Sequence, residues 1–483
     1  MGKVTGFLEY KRKTAANEPG EERIRHYQEF VGHLTPGEIT EQAARCMDCG
    51  IPFCHSSFGC PVKNLIPDWN DLVYNDQWRE AYERLEMTNN FPEITGRICP
   101  APCETSCTLA ISDSPVTIKQ IELEIIERAF RENWVKSKLP DMESGKMVAV
   151  IGSGPAGLAA AQQLRRKGHA VTIYERSAKI GGLLRYGIPD FKLEKSILDR
   201  RLDQLSAEGI EFVTDVNIGE DISARYLQKS YDVILIATGA TQARDLAIEG
   251  RDLNGIYQAM QYLTLSNQYL DGMIDKRQLI SAKNKSVLVI GGGDTGSDCV
   301  GTANRQGAKI VYQYEIMPKP REWNEAYNPE WPFWPAILRT SSSQEEGCSR
   351  EWGILTKSLS GKNGNLTCAN FTRVEWKPGK NGERAEMLEI KGSNFSLSVD
   401  MILLAMGFVH PEHNRLLTDL GIAYDPAGNI KTGIDFMTSV PGVFAAGDAQ
   451  RGASLVVHAI FLGRQAAKAI DSYLTRIGAR DAV

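Results

Sequence analysis

Seven of the ten cysteines stand between positions 46 and 107, as Cys46-x-x-Cys49, Cys54, Cys60, Cys99, Cys103 and Cys107. Thiolates crowded in this way converge on a metal or an iron–sulfur core. Three chemistries compete for them. Zinc usually takes two close pairs across a finger-like loop, whereas the runs here are C-x2-C-x4-C-x5-C and C-x3-C-x3-C with no histidine at the usual interval. His55, beside Cys54, reads as a loop residue. Disulfides are disfavoured in a reducing compartment. Iron–sulfur binding fits best, because such clusters use short-spaced thiolates, and Cys60-Pro61 and Cys99-Pro100 set a proline behind a thiolate as ferredoxin-like runs do. Seven thiolates cannot give two four-iron clusters four sulfur ligands each. Either there is one cluster with spare cysteines, or the eighth ligand is not sulfur. Cys299, Cys348 and Cys368 lie too deep in the second half of the chain to help.

Two glycine-rich turns follow, Gly152-Ser-Gly154-Pro155-Ala156-Gly157 and Gly291-Gly-Gly293-Asp294-Thr295-Gly296. Glycine at these spacings permits a tight turn, lets the backbone approach a pyrophosphate, and packs helix against strand. The helix that follows aims free N–H groups at the phosphates. Each turn leaves a short apolar run (147–151 and 286–290), opens a helix, and is answered by an acid after a second apolar run (170–174 and 309–314). Those acids are Glu175, followed by Arg176, and Glu315. This context is what a dinucleotide fingerprint requires. Glu175 is expected to accept from ribose hydroxyls. Gly182, Leu183, Thr238 and Gly239 belong to the same half, and Gly447-Asp448 with Val456 should meet the far end of an extended nucleotide. Contacts so distant in sequence suit FAD; Asp448 alone could instead be a helix cap. The second turn then takes the nicotinamide cofactor, NADPH or NADH. Glu315 stands where a ribose 2′-hydroxyl is read, which favours NADH. Lys319 and Arg321 could compensate a 2′-phosphate or could be solvated loop charges, and the sequence leaves that choice open.

The elements that must position these residues are legible in outline. A chain of 483 residues suggests about three domains. Residues 1–145 should be helical: segments 69–87 and 116–134 carry apolar residues at helical spacing, with Ile118, Ile121, Ile125 and Ala129 on one face. A polar linker spans 136–146. Beyond it a βαβ unit is written twice, with further strands at 231–237 and 399–405, a late helix at 455–474, and a long irregular stretch rich in Trp and Pro at 323–335. The expected class is α/β: two nested Rossmann-like dinucleotide-binding domains preceded by a helical iron–sulfur domain. The expected divisions are 1–145 for the iron–sulfur domain, 146–265 and 408–483 for the FAD-binding domain, and 266–407 for the NAD(P)H-binding domain. A net charge of −5 offers no footprint for nucleic acid or an anionic membrane. No stretch approaches the ~20 apolar residues that span a bilayer. The N-terminal residues lack the apolar core of a signal peptide, and Gly6 stands where a myristoylation signal has Ser or Thr. A cytoplasmic chain is expected.

Several of these stretches together resemble the small (β) subunit of bacterial glutamate synthase. They are Cys46-Met-Asp-Cys49-Gly, Cys60-Pro, Gly96-Arg-Ile-Cys99-Pro, Thr117-Ile-Lys-Gln-Ile-Glu122, Gly181-Gly-Leu-Leu-Arg-Tyr-Gly-Ile-Pro189, Gly291-Gly-Gly-Asp-Thr-Gly296 and Ala446-Gly-Asp448. The wider group includes the reductase half of dihydropyrimidine dehydrogenase and bifurcating ferredoxin:NADP oxidoreductases. The resemblance implies FAD, NADPH or NADH, and two [4Fe–4S] clusters with interleaved ligands. Cys46, Cys49, Cys54 and Cys107 would hold one; Cys60, Cys99, Cys103 and Glu122 would hold the other. Glu122 alone could instead be a solvated helix charge. The resemblance further implies electron transfer to a glutamate synthase large (alpha) subunit in a hetero-oligomer, for glutamate synthesis from glutamine and 2-oxoglutarate. The alternative is a subunit of a ferredoxin-linked or bifurcating NAD(P)H oxidoreductase. The chain alone is not expected to hydrolyse glutamine. One departure stands out: many relatives carry Tyr-Arg-Arg after the second-domain strand, suited to a 2′-phosphate, where this chain has Glu315-Ile-Met.

Overall fold

The apolar runs flanking each glycine turn form parallel strands, as short β-branched segments buried on both faces do. The computed structural model describes residues 2–379 and 385–481. One five-stranded sheet runs Val443–Ala445, Val233–Ile236, Met147–Ile151, Ala170–Tyr174, Ile210–Val213, all parallel. A second runs Ile256–Gln258, Met401–Leu404, Ser286–Ile290, Ile310–Glu315, Ser349–Trp352, again all parallel. The two are built alike. Ile151 lies opposite Tyr174 and Ile236, so Gly152, Glu175 and Ala237 leave the first sheet side by side. Ile290 lies opposite Tyr314 and Leu404, so Gly291 and Ala405 leave the second beside Glu315, the last residue of its strand. The strand Val443–Ala445 returns to the first sheet after the second is complete, which is the nesting expected of the duplicated units.

Each glycine turn opens a helix, Pro155–Arg166 and Asp294–Arg305. The first starts earlier than apolar periodicity suggests, because Pro155 at the first helical position has a preset φ and no N–H to lose. The late helix Val456–Asp481 packs along Pro155–Arg166 so closely that a Cβ on Gly463 would lie 2.2 Å from the Ala156 carbonyl oxygen.

Three features depart from the sequence expectation. The segment 69–87 is two helices, Ile66–Tyr74 and Trp78–Thr88, broken where Asp76 takes a positive φ of 58°. An antiparallel sheet of Ile354–Lys362, Asn365–Lys377, Glu386–Glu389 and Phe395–Ser398 was not foreseen. Its hairpin turns at Asn363-Gly364, both with positive φ, and Asn-Gly between alternating residues is a signal that could have found it. Finally, the stretch 323–335 is irregular as expected, but it folds away from its own sheet onto the cysteine-rich unit. Asn328 donates from its backbone to the Ala110 carbonyl (2.7 Å) and from its side chain to Thr105 (2.8 Å). The Trp331 indole donates to the carbonyls of Ser106 and Cys107.

The N-terminal unit is helical, with Pro36–Ala44, Ile66–Tyr74, Trp78–Thr88, Pro92–Ile98 and Ile118–Arg131 around a core that includes Trp69, Phe91 and Ile94. Ile118, Ile121, Ile125 and Ala129 face that core together. Buried ion pairs fasten the unit to the rest of the chain. Arg201 clasps Glu93 with two bonds of 2.8 Å, and Glu346 receives both Arg23 (2.7 Å) and Arg305 (2.6 Å). Pairs this dry hold register; removing one partner strands the other charge, at a cost of about 3–5 kcal/mol. Among the described residues no helix is long and apolar enough to cross a membrane.

Candidate redox site

The first glycine turn is a cradle with no room for side chains. Gly152 has φ of +103°, and a Cβ there would lie 2.5 Å from the Ala237 carbonyl oxygen. A Cβ on Gly157 would lie 2.1 Å from the Gly152 oxygen. Gly154 differs: a Cβ there would meet no protein atom within 4 Å, so its bareness serves whatever approaches the turn. Glu175 is buried and ties the turn together. It accepts from the Ser153 hydroxyl (2.5 Å) and N–H (3.2 Å) on one oxygen and from the Ser177 N–H (2.9 Å) on the other. The Ser153 hydroxyl in turn accepts from the Gly181 N–H at 2.9 Å, which draws Gly181-Gly182 against the turn.

A cavity of 1270 Å³ opens from this cradle. Gly152, Gly154, Pro155, Ala156, Glu175, Arg176, Gly182, Leu183, Thr238, Gly239, Asp448 and Val456 all line it. Gly157 and Gly447 stand behind the wall as packing residues; a Cβ on Gly447 would press on Ala156 at 2.7 Å. Asp448 accepts from the Ser454 hydroxyl at 2.7 Å, and burial raises its pKa above the ordinary carboxylate value. The same cavity is lined by Gly96, Cys99, Pro100 and Ala101 of the helical unit and by Asp294 and Asp298 of the helix after the second turn. Lys192, also on its wall, forms an ion pair with Asp298, a contact between the halves that no sequence motif announced. An elongated group held on the first turn would therefore have a cysteine turn and the second nucleotide unit on its borders.

The second turn repeats the bonding of the first. A Cβ on Gly291 (φ +122°) would lie 2.2 Å from the Ala405 oxygen, one on Gly296 would lie 2.4 Å from the Gly291 oxygen, and one on Gly293 would touch nothing. Glu315 accepts from the Gly292 N–H at 2.6 Å and from the Met317 N–H at 3.0 Å. Here the turn is open: Gly293 and Asp294 are exposed and Thr295 half-buried, and of the turn only Asp294 reaches the cavity wall.

The seven N-terminal cysteines are all free, five of them buried and Cys49 and Cys107 half-buried. They sort by mutual influence. Cys46 and Cys54 feel Cys49 and Cys107, whereas Cys60 and Cys103 feel Cys99 and Glu122, with one weaker link from Cys54 to Cys60. Burial pushes the Cys46 and Cys99 thiols up to about 12 and raises Cys54, Cys60, Cys103 and Cys107 as well. Bare thiolates in such a place are costly, and cationic metal is what offsets them. One backbone N–H donates to a sulfur, Ala101 to Cys99 (3.4 Å), and backbone amides favour the thiolates of Cys46, Cys60 and Cys107. The fully buried Asn70 amide has no hydrogen-bond partner among the described residues. Among the described residues no three His, Cys, Asp or Glu side chains converge tightly enough to hold one metal ion. Thiolates on a cluster bind separate irons and need not converge so closely. The residues present fit iron–sulfur clusters.

Glu122 is not a solvated helix charge. It is buried on Ile118–Arg131, and burial lifts its carboxyl to about 7. Asn89 donates to its Oε1 at 2.9 Å, and the Thr95 hydroxyl bonds the same oxygen. Neither partner was visible in the sequence, since Asn89 ends the helix Trp78–Thr88 and Thr95 lies on Pro92–Ile98, both well before Glu122 in the chain.

Comparison with known proteins follows this geometry. Residues 146–463 match the family described as pyridine nucleotide-disulphide oxidoreductase, and residues 23–134 match dihydropyrimidine dehydrogenase domain II, 4Fe-4S cluster. The chain is 52% identical over 479 residues to the glutamate synthase [NADPH] small chain of Mycobacterium tuberculosis, covering 98% of this chain and 96% of that one. It is 46% identical to the glutamate synthase [NADPH] small chain of Bacillus subtilis, covering 98% and 99%. The glutamate synthase [NADH] of Schizosaccharomyces pombe matches at 45% over 98% of this chain, which spans 23% of that longer protein. Among solved structures, FprA of Mycobacterium tuberculosis in complex with NADPH superposes with a TM-score of 0.54 at 16% identity, covering 69% of this chain and 86% of that one, which establishes a shared fold. By its length-wide identity and both matched domains, the chain belongs to the glutamate synthase small-chain family.

Proposed function

We propose that this chain is the electron-delivering small subunit of a glutamate synthase, oxidising NADH or NADPH for a large subunit that makes L-glutamate from glutamine and 2-oxoglutarate. FAD supplies the conversion of a hydride into single electrons, and two [4Fe–4S] clusters supply their passage onward. The first turn, with Glu175 and Asp448, would hold FAD along the cavity. The second, with Glu315, would receive the nicotinamide nucleotide. Cys46, Cys49, Cys54 and Cys107 would hold one cluster, and Cys60, Cys99, Cys103 and Glu122 the other. We place the divisions between these parts near 145, 265 and 407. What this chain's own residues do is bind, orient and insulate: Ser153 and Glu175 brace the cradle, Lys192 and Asp298 clip the two nucleotide units together, and Trp331 seals the turn at Cys107.

The observation that carries this reading is the shared cavity: Gly154 and Asp448 line it at one end of the sequence logic, Cys99 at the other. Cys99 lines this cavity and Cys46, Cys49, Cys54 and Cys107 do not, so their group would be the farther from the flavin and the exit. The small-chain relatives imply a large partner, and the yeast protein carries the equivalent of this chain within a longer one. The test is anaerobic: the purified chain, a glutamate synthase large subunit, glutamine, 2-oxoglutarate and each nicotinamide in turn. Glutamate should form only when both proteins are present. If the flavin is reduced but a large subunit never makes glutamate, while a ferredoxin-reductase-like partner accepts the electrons, the alternative oxidoreductase reading takes over.

A further inference from the structure

The second turn carries a choice between two substrates, and the geometry there goes beyond the reading of an NAD(P)H oxidoreductase, on which it rests. Glu315 is built as the twin of Glu175. Each stands at the end of the strand beside its glycine turn (Glu175 just past it, Glu315 as its last residue), accepts from the N–H of the second residue of the turn with one oxygen, and from the N–H two residues downstream with the other. Two backbone donors fix the carboxylate in place. It cannot swing aside without releasing both. A carboxylate at this position accepts a hydrogen bond from a ribose 2′-hydroxyl and repels a 2′-phosphate. A Cβ on Gly292 would lie 2.8 Å from Glu315 Oε2, so the turn and the carboxylate are fitted to one another.

A 2′-phosphate could still be welcomed if a cation stood free beside it. Among the described residues, the cations that follow this strand or stand on its neighbour each have a partner. Lys319 bonds Glu322 at 2.6 Å and stands over the Trp352 ring at 5.6 Å. Arg321 bonds Glu330 at 3.0 Å and stacks on Trp323 at 5.2 Å. Arg350 stacks on Trp352 at 4.8 Å and bonds the Arg339 carbonyl. Trp352 pairs directly with Glu315 across the sheet, so the aromatic surface that occupies two of these cations lies next to the acid.

We infer that this chain is selective for NADH over NADPH, with Glu315 as the specificity-determining residue. The preference differs from the coenzyme named for the small chains of Mycobacterium tuberculosis and Bacillus subtilis and agrees with that named for the Schizosaccharomyces pombe enzyme.

Two measurements on the flavin-loaded full chain test it. In anaerobic flavin reduction, NADH should exceed NADPH in kcat/KM by at least about tenfold. In calorimetry, 5′-AMP should bind and 2′,5′-ADP should bind more weakly by a similar factor. Glu315→Gln keeps an oxygen acceptor for the Gly292 N–H while removing the charge, and should narrow both ratios chiefly by improving the phosphorylated ligand. Equal or better use of NADPH by the unaltered chain, or tighter binding of 2′,5′-ADP, overturns the inference. If neither nicotinamide reduces the flavin, the functional reading fails, and the calorimetric arm still decides the ribose preference.

Discussion

The two nucleotide turns share a backbone plan and differ in enclosure. At the first, Glu175 is 7% exposed and the turn forms the wall of a 1270 Å³ cavity. At the second, Glu315 makes the matching pair of hydrogen bonds, yet Gly293 lies in the open. The same pair of backbone hydrogen bonds thus sits in two different environments. A deep, long site suits a resident group that never leaves, because burial slows release. An open turn suits a nucleotide that must arrive, react and depart on every cycle. The helical unit sharpens the contrast: it closes one side of the first site through Gly96, Cys99 and Ala101.

The largest expected effect breaks this comparison on its enclosed side. Gly154→Val adds atoms where the protein itself offers no clash, but where, on the proposed reading, a pyrophosphate would approach the backbone. The variant should fold with an unchanged circular dichroism spectrum and purify with little or no flavin; full flavin content would mean that the first turn is not the cradle.

A second change leaves both turns intact and cuts the path beyond them. Two four-iron clusters give about eight irons per intact chain. Glu122→Ala should lower that to about four while flavin content stays level. An intact count of about eight in the variant would assign Glu122 a purely structural role with Asn89 and Thr95.

Much of this contrast was legible in the sequence, and the reason is local. Glycine spacing, strand–turn–helix order and an acid after the next strand are all written within short windows, so both turns and both glutamates could be read from residues alone. The same holds for the crowded cysteines. What escaped is what depends on distant packing. Trp331 and Asn328 belong by sequence to the second nucleotide unit, yet they bond Ser106, Cys107 and Thr105 more than two hundred residues away. The partners of Glu122, the clip between Lys192 and Asp298, and the difference in enclosure itself are tertiary facts with no periodic signature. The antiparallel sheet is a different case: its Asn363-Gly364 turn was readable and was passed over.

The most direct test of the central claim uses the open turn. A Cβ on Gly293 would meet no protein atom, just as at Gly154. Gly293→Val and the unaltered chain should therefore both carry flavin in full. Under anaerobic conditions NADH should bleach the flavin absorbance of the unaltered chain, and should fail to do so in the variant by at least about a hundredfold in rate, a difference of about 2.7 kcal/mol in the barrier. Dithionite should bleach both equally. Loss of flavin from Gly293→Val, or rapid bleaching of that variant by NADH, would contradict the division of labour between an enclosed resident site and an open exchange site.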